Sequence, residues 1–192
     1  VTFILSTIQD NQALLKADPG YMANLKALSI VERERLLYGN WKIKAAKGLF
    51  FPRPAIGELL EDVPSDVVRW VRGWDLAATD TDEGDPAYTA SVLLGKRRDG
   101  SYVIADATNN RLRADKVRAM VKQCAAADKA QYKRVRIRMS QDPGQAGKEQ
   151  AQSYVKMLAG FSVSVVKESG NKEARAEPFA AQWQAGNVKV VA

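Results

Sequence analysis

Apolar and polar positions change period several times along the chain, and each change marks an element. Val67 to Thr79, VVRWVRGWDLAAT, reads as a buried strand in which Val, Trp and Leu crowd together before a carboxylate, Asp75, and two small residues, Ala77 and Ala78. Ala87 to Lys96 and Ser101 to Ala105 are β-branched or alternating runs separated by Arg98-Asp99-Gly100, a turn signal. The three runs predict an antiparallel meander. From Arg113 to Ala127 the period becomes 3.6, with Val117, Met120, Val121 and Cys124 on one helical face. Lys133 to Ser140 then alternates, Val135, Ile137 and Met139 against Arg134, Arg136 and Arg138, which is a strand.

That strand runs into the turn Asp142-Pro143-Gly144 and a helix with Ala151, Tyr154, Val155 and Leu158 on its inner face. Phe161 to Val166 makes another strand and Asn171 to Arg175 a polar loop. Pro178 opens a last helix that turns Phe179, Ala180 and Trp183 inward and ends at Gly186, before a strand at Val188 to Val191. The expected fold is α/β: a mixed sheet with a three-stranded antiparallel meander and flanking helices. Ahead of it, Asp18-Pro19 reads as an N-cap with proline at the first helical position, and Ser29 with Glu32 as a capping box. Gly48, Pro52, Pro54, Gly57 and Pro64 break the chain. They predict a helical linker segment over 1–64 and a second domain over 65–192.

Composition narrows the chemistry. The chain has no histidine and one cysteine among 192 residues, which removes Ser-His and Cys-His catalysis, histidine-ligated zinc and internal disulfides. Hydrolysis must then rest on carboxylates, lysine or a metal held by oxygen. No apolar run is long enough to span a bilayer and Val1 to Leu5 is too short for a signal peptide, which predicts a soluble, intracellular protein without membrane contact. Of the net charge of +7, residues 1–64 hold +1 (8 Lys or Arg against 7 Asp or Glu) and the remainder +6 (21 against 15). Ten basic residues between Arg111 and Arg138 face only Asp115 and Asp128. Such a patch is either a solvated surface or a surface for a polyanion.

Two carboxylates are candidates for the reaction. Asp75 at the end of a buried strand is either a hard-metal ligand or a partner for an arginine or a turn. Asp142, between a strand and a helix, is either a ligand at the carboxyl edge of the sheet or a helix N-cap. GQAGKE lacks the spacing of a phosphate loop and puts Glu149 where a Ser or Thr would bind Mg²⁺, so a nucleotide loop is rejected there, while Lys148 remains able to meet a phosphate. If the first and fourth strands pair, Asp75 and Asp142 meet, and a divalent cation resolves their repulsion. Two metal ions bridged by a carboxylate are an established means of phosphodiester cleavage.

RGWDLAAT, QDPGQAGKEQA and NKEARAEPFAAQWQAGNVKVV, in this order, together with STIQDNQALL, DPGYMANLKAL and ERERLLYGNW nearer the start, resemble the large terminase subunits of tailed phages. The likeness is to their C-terminal nuclease domain, of ribonuclease H-like fold, and to the segment joining it to the motor. The resemblance implies an endonuclease dependent on Mg²⁺ or Mn²⁺ that cuts concatemeric double-stranded viral DNA during packaging, in the host cytoplasm. It implies partnership with an ATPase domain of the same polypeptide, a portal and a small terminase subunit. It carries Asp75 and Asp142 over as metal ligands, and Lys172 and Arg175 as contacts to the DNA backbone, beside Arg134, Arg136, Arg138 and Lys148 from the charge pattern. The rival readings are a catalytically silent DNA-binding or docking module and a transposase- or resolvase-type member of the fold. Two features depart from the family: the motor's phosphate loop is absent, so the chain reads as a fragment, and the third acidic ligand, on a helix after the last strand, falls beyond Ala192. Asp106, Glu168 and Glu173 are the candidate substitutes.

Overall fold

The computed structural model describes residues 7–43, 50–76, 88–167 and 170–192. In chain order its elements are α1 (Gln12–Ala17), α2 (Tyr21–Lys26), α3 (Ile30–Leu36), β1 (Val67–Asp75), β2 (Thr89–Arg97), β3 (Tyr102–Asn110), α4 (Ala114–Tyr132), β4 (Val135–Gln141), α5 (Gln145–Met157), β5 (Ser162–Lys167), α6 (Lys172–Gln184) and β6 (Val188–Val190). The chain forms two compact units, Val1–Glu58 with Gly170–Val188, and Leu59–Ser169 with Lys189–Ala192.

The first unit is helical. Ser29 Oγ accepts from the Glu32 backbone N–H at 3.5 Å and so caps α3. Asp18 does not open α2. Its Oδ1 accepts from the Gly20 N–H at 3.0 Å, a tight Asx-type turn, and the helix begins at Tyr21. At the other end of the chain the polar stretch Asn171 to Arg175 is helix, not loop. Asn171 caps α6 by accepting from the Ala174 N–H at 2.7 Å, and Pro178 lies inside the helix instead of in its first turn. Trp183 and Gln184 of α6 donate to the backbone carbonyls of Pro52 (2.9 Å) and Phe50 (3.0 Å), and the Phe51 and Trp183 rings meet edge to face at 5.6 Å.

The second unit is a six-stranded mixed sheet in the order β5-β4-β1-β2-β3-β6. β1, β2 and β3 form the antiparallel meander, and β4 joins β1, and β5 joins β4, in parallel. The Arg98-Asp99-Gly100 turn closes as its residues demand: Gly100 has φ +91° and Asp99 accepts from the Ser101 N–H at 2.8 Å. β3 runs to Asn110, five residues beyond its apolar run, because its polar residues still pair with β2. α4 likewise continues to Tyr132, whose ring packs on Trp70 at 4.3 Å.

Helices α4 and α5 pack on one face of the sheet. There Trp74, Ile137 and Met139 form a buried cluster with Val117, Val121 and Ala125 of α4 and with Tyr154 and Leu158. The Val, Leu, Ile and Met side chains among them are worth roughly 1.5 to 3 kcal/mol each when fully buried, so this layer fixes the strands that lead to Asp75 and Asp142. Gly95 lets Trp70 lie flat across β2: an added Cβ would stand 2.7 Å from the indole. At the far edge, the Val191 N–H donates to the Ile104 carbonyl (3.0 Å), while Leu60 exchanges bonds with Val190 (2.8 Å) and Ala192 (2.9 Å).

Candidate active site

Asp75 is the last residue of β1, and the parallel register pairs its predecessor, Trp74, with Met139 of β4. Continued by one step, that register sets Asp75 level with Ser140, and Asp142 stands two residues further on. Both aspartates are exposed at the carboxyl edge of adjacent parallel strands. The strands run about 4.8 Å apart, and Asp142 is the first residue of the turn that follows β4.

The turn after β4 fixes Asp142 from behind. Gly144, at φ +96°, is the N-cap of α5, and no side chain caps that helix, so the capping alternative for Asp142 is not what the turn uses. Gly147 in the first turn of α5 approaches the Asp142 backbone so closely that a Cβ would lie 2.2 Å from its carbonyl oxygen. The GQAG glycines therefore serve a sharp strand-to-helix turn. Lys148 follows on α5 and lines a cavity of about 400 Å³ with Gln141, Val165 and Lys167.

Asp106 is engaged elsewhere. It pairs across the meander with Leu93 and receives a hydrogen bond from Arg72 Nη1. Arg72 is itself buried and bidentate to Asp128 of α4, Nε to Oδ2 at 2.9 Å and Nη2 to Oδ1 at 2.7 Å, and it donates to Ser91 Oγ at 3.2 Å. Ser91 Oγ in turn meets Thr108 Oγ1 at 2.8 Å. Burial by itself would lower the guanidinium's pKa, but the hydrogen bonds and charges of Asp128 and Asp106 outweigh it and raise it. This network binds α4 to the meander on the helix-covered face, whereas Asp75, one residue past Trp74, belongs to the opposite side. Sequence reasoning missed it because Arg72 and Asp128 lie 56 residues apart. Glu173 stands in the first turn of α6, in the other unit, and Glu168 lies outside the described residues.

Among the described residues no group of three or more His, Cys, Asp or Glu is placed to hold a metal ion. The donor set at the edge is two exposed carboxylates. That set suits a hard cation such as Mg²⁺, which binds through one or two carboxylates and completes its shell with water and phosphate oxygens.

Arg136 and Arg138 are exposed and project from β4 on the face opposite α4, paired in register with Val71 and Gly73. Arg138 is therefore two residues short of the level of Asp75 on the neighbouring strand. Arg134 precedes β4, on the order of 25 Å along the strand from Asp142. Lys172 and Arg175 occupy the first turn of α6, where Arg175 Nη1 donates to the Gly170 carbonyl at 2.8 Å. No described helix is long and apolar enough to cross a membrane.

A mixed sheet with this strand order, a leading antiparallel meander and acidic residues at the ends of its first and fourth strands defines a ribonuclease H-like α/β domain. The family described as "Terminase RNaseH-like domain" matches residues 72–192, and the chain belongs to that family. The structure is similar to that of a large terminase from a thermophilic bacteriophage in complex with ATP-gamma-S (TM-score 0.61, 15% identity), covering 96% of this chain and 43% of that one. It is also similar to the large terminase nuclease from thermophilic phage G20c with bound zinc (TM-score 0.47, 16% identity), covering 72% of this chain and 77% of that one. The chain thus spans less than half the length of the nucleotide-bound large terminase. No curated protein matches it.

Proposed function

We propose that the sheet unit is a metal-dependent endonuclease that cuts concatemeric double-stranded DNA for a viral packaging motor, with Asp75 and Asp142 as the catalytic carboxylates. The observation that carries this reading is the parallel pairing of β1 and β4, which ends both strands at one edge with an exposed aspartate on each. Mg²⁺ or Mn²⁺, bound by the two aspartates as one ion or two, would supply an activated water and stabilise the leaving oxygen. The protein's own part is to hold the two carboxylates at a fixed spacing, through the core under β1 and β4 and the Gly147 contact behind Asp142. Arg138 and Arg136 would then receive the phosphates flanking the scissile one, as their row leads along β4 towards the carboxylates.

Lys148, beside the Asp142 turn, would extend the grip, and Lys172 and Arg175, on α6 of the other unit, are proposed as DNA-backbone contacts from the family resemblance. None of these cations reads a base edge as a matter of chemistry when it binds phosphate, so cleavage would show little sequence preference. Arg134, exposed and on the order of 25 Å down the strand, would meet the duplex further from the scissile phosphate. Residues 1–64 would be the linker from an ATPase domain of the same polypeptide, with portal and small terminase subunits as further partners and the host cytoplasm as the setting.

The test is cleavage of supercoiled plasmid in Mn²⁺ by the wild type, Asp75→Asn and Asp142→Asn. Loss of cutting in both variants, with DNA binding retained, is the expected result. Cutting by either variant refutes the assignment of that carboxylate, and a wild type that binds DNA without cutting it makes the domain a silent docking module. DNA affinity should also fall steeply from low to moderate salt.

A further inference from the structure

β5 is an edge strand, bonded to β4 alone. Along an extended strand every second residue turns both its N–H and its carbonyl away from the neighbouring strand. Among the described residues no backbone group bonds to that outer side of β5, so half of its six residues each present an unmet donor and an unmet acceptor. The opposite margin of the sheet, by contrast, is covered by Leu60.

Beside this edge the cavity of about 400 Å³ lies between α5 and the strands, with Ala151, Val155 and Val165 as apolar floor and Lys148, Lys156 and Lys167 around it. Val155 is 43% exposed, a large apolar side chain without cover. Val165 pairs in register with Met139 of the core, so Val165 and Lys167 project on the face that α5 covers. α5 crosses between two parallel strands and therefore runs antiparallel to β5, which puts Lys156 near the start of that strand and Lys167 at its end. No carboxylate lines the cavity, and none of the three lysines has an ion-pair partner among the described residues.

We propose that β5 and this cavity are a docking site for an extended acidic segment of another protein, which joins the sheet as a further strand. Its backbone would meet the open row of β5, and an apolar side chain would sit over Val155 and Val165. Acidic residues two positions to either side would reach Lys156 and Lys167, a span of about 13 Å over four residues at about 3.3 Å each. The features select this occupant together. A phosphodiester chain accepts from N–H groups but offers no donor to the carbonyls between them, and it leaves Val155 bare. A second copy paired β5 to β5 would set lysine against lysine. The lysines thus block self-pairing, as charges on open edges do, and leave the edge to a strand of opposite sign. Lys148, beside the Asp142 turn, stays with the DNA grip, so Lys156 and Lys167 carry the proposal.

The experiment is fluorescence anisotropy of the full chain with a labelled peptide, TETVTET, whose valine stands two residues from each glutamate. TKTVTKT is one comparison, and TETVTET N-methylated at its three central residues, which removes backbone donors on both sides, is the other. One-to-one binding of the first peptide, about tenfold tighter than either comparison, is expected, together with slowed amide exchange in β5. Lys156→Glu and Lys167→Glu change exposed side chains, so each should fold as the wild type and bind about tenfold more weakly. Their double variant should prefer TKTVTKT. Absence of saturable binding up to millimolar peptide, equal binding of the N-methylated peptide, unchanged exchange in β5, or unchanged affinity in both lysine variants would each overturn the proposal. So would displacement of the peptide by one equivalent of a short DNA duplex, which makes the groove a DNA track, or a dimer in sedimentation that protects β5, which makes a second copy the occupant.

Discussion

Replacing Gly147 with alanine tests how the candidate catalytic edge is held. The new Cβ would begin 2.2 Å from the Asp142 carbonyl oxygen, 2.8 Å from its carbonyl carbon and 3.1 Å from its Cα. Reaching an ordinary contact of 3.4 Å requires a movement of about 1.2 Å, the difference of two distances on the same scale. α5 is anchored by Ala151, Tyr154 and Leu158 in or beside the core, so the turn bearing Asp142 is the part that gives way. Alanine's helix propensity returns about 1 kcal/mol, and the overpacking costs about 1 to 3 kcal/mol, so the net loss of stability should be roughly 0 to 2 kcal/mol. Activity should suffer far more, because a displacement of about 1 Å in a catalytic group is enough to cost on the order of a hundredfold. The assay is initial-rate nicking of supercoiled plasmid in Mn²⁺, with thermal unfolding and DNA affinity measured on the same samples. Gly73→Ala, whose methyl meets nothing within 4 Å, is the matched control on β1. Wild-type cleavage together with wild-type stability in Gly147→Ala would show that this close approach does not position Asp142.

Arg72→Met strands the Asp128 carboxylate, whose side chain is only 6% exposed, and should cost about 3 to 5 kcal/mol, lowering the melting temperature by roughly 10 °C or more. Arg72→Met with Asp128→Leu should recover most of that loss, and a double variant no better than the single one would argue against the buried charge as the cause. Burial, reinforced by Asp128 and Asp106 and opposed by Arg72, pushes the Cys124 thiol above its ordinary value of 9.0. Because the folded-state pKa is the higher one, this contribution to stability is intact below the unfolded value and is lost as pH rises through the folded one. Denaturation midpoints should therefore drop on the alkaline side of 9.0, less so in Cys124→Ala, and alkylation of the native thiol at neutral pH should be much slower than in the unfolded chain.

Where periodicity is local, the sequence was a good guide to the fold. The alternation of Val135, Ile137 and Met139 with arginines read directly as β4, and Asp99-Gly100 announced the β2 to β3 turn. Its failures came where polar residues are used structurally. Asn171-Lys172-Glu173 looked like a loop because its polarity hides a capped first turn, although asparagine followed by an acidic residue is itself a helix-start signal. Asp128 looked like a counter-charge on a basic surface, since nothing nearby in the chain reveals that it meets Arg72 under the sheet. The adjacency of Asp75 and Asp142 was accessible only through the order of elements, and the φ of +61° at Lys133 not at all, because lysine carries no preference for the backbone it adopts there.

The bonds that join Leu60 to Val190 and Ala192, with Val191 on Ile104, occupy the outer side of β3. A strand margin left open offers a row of unmet donors and acceptors on which another chain can assemble. Deleting the last five residues would thus leave the distant carboxylates in place yet turn a closed margin into one prone to stacking, and loss of solubility, instead of loss of chemistry, would be its first symptom.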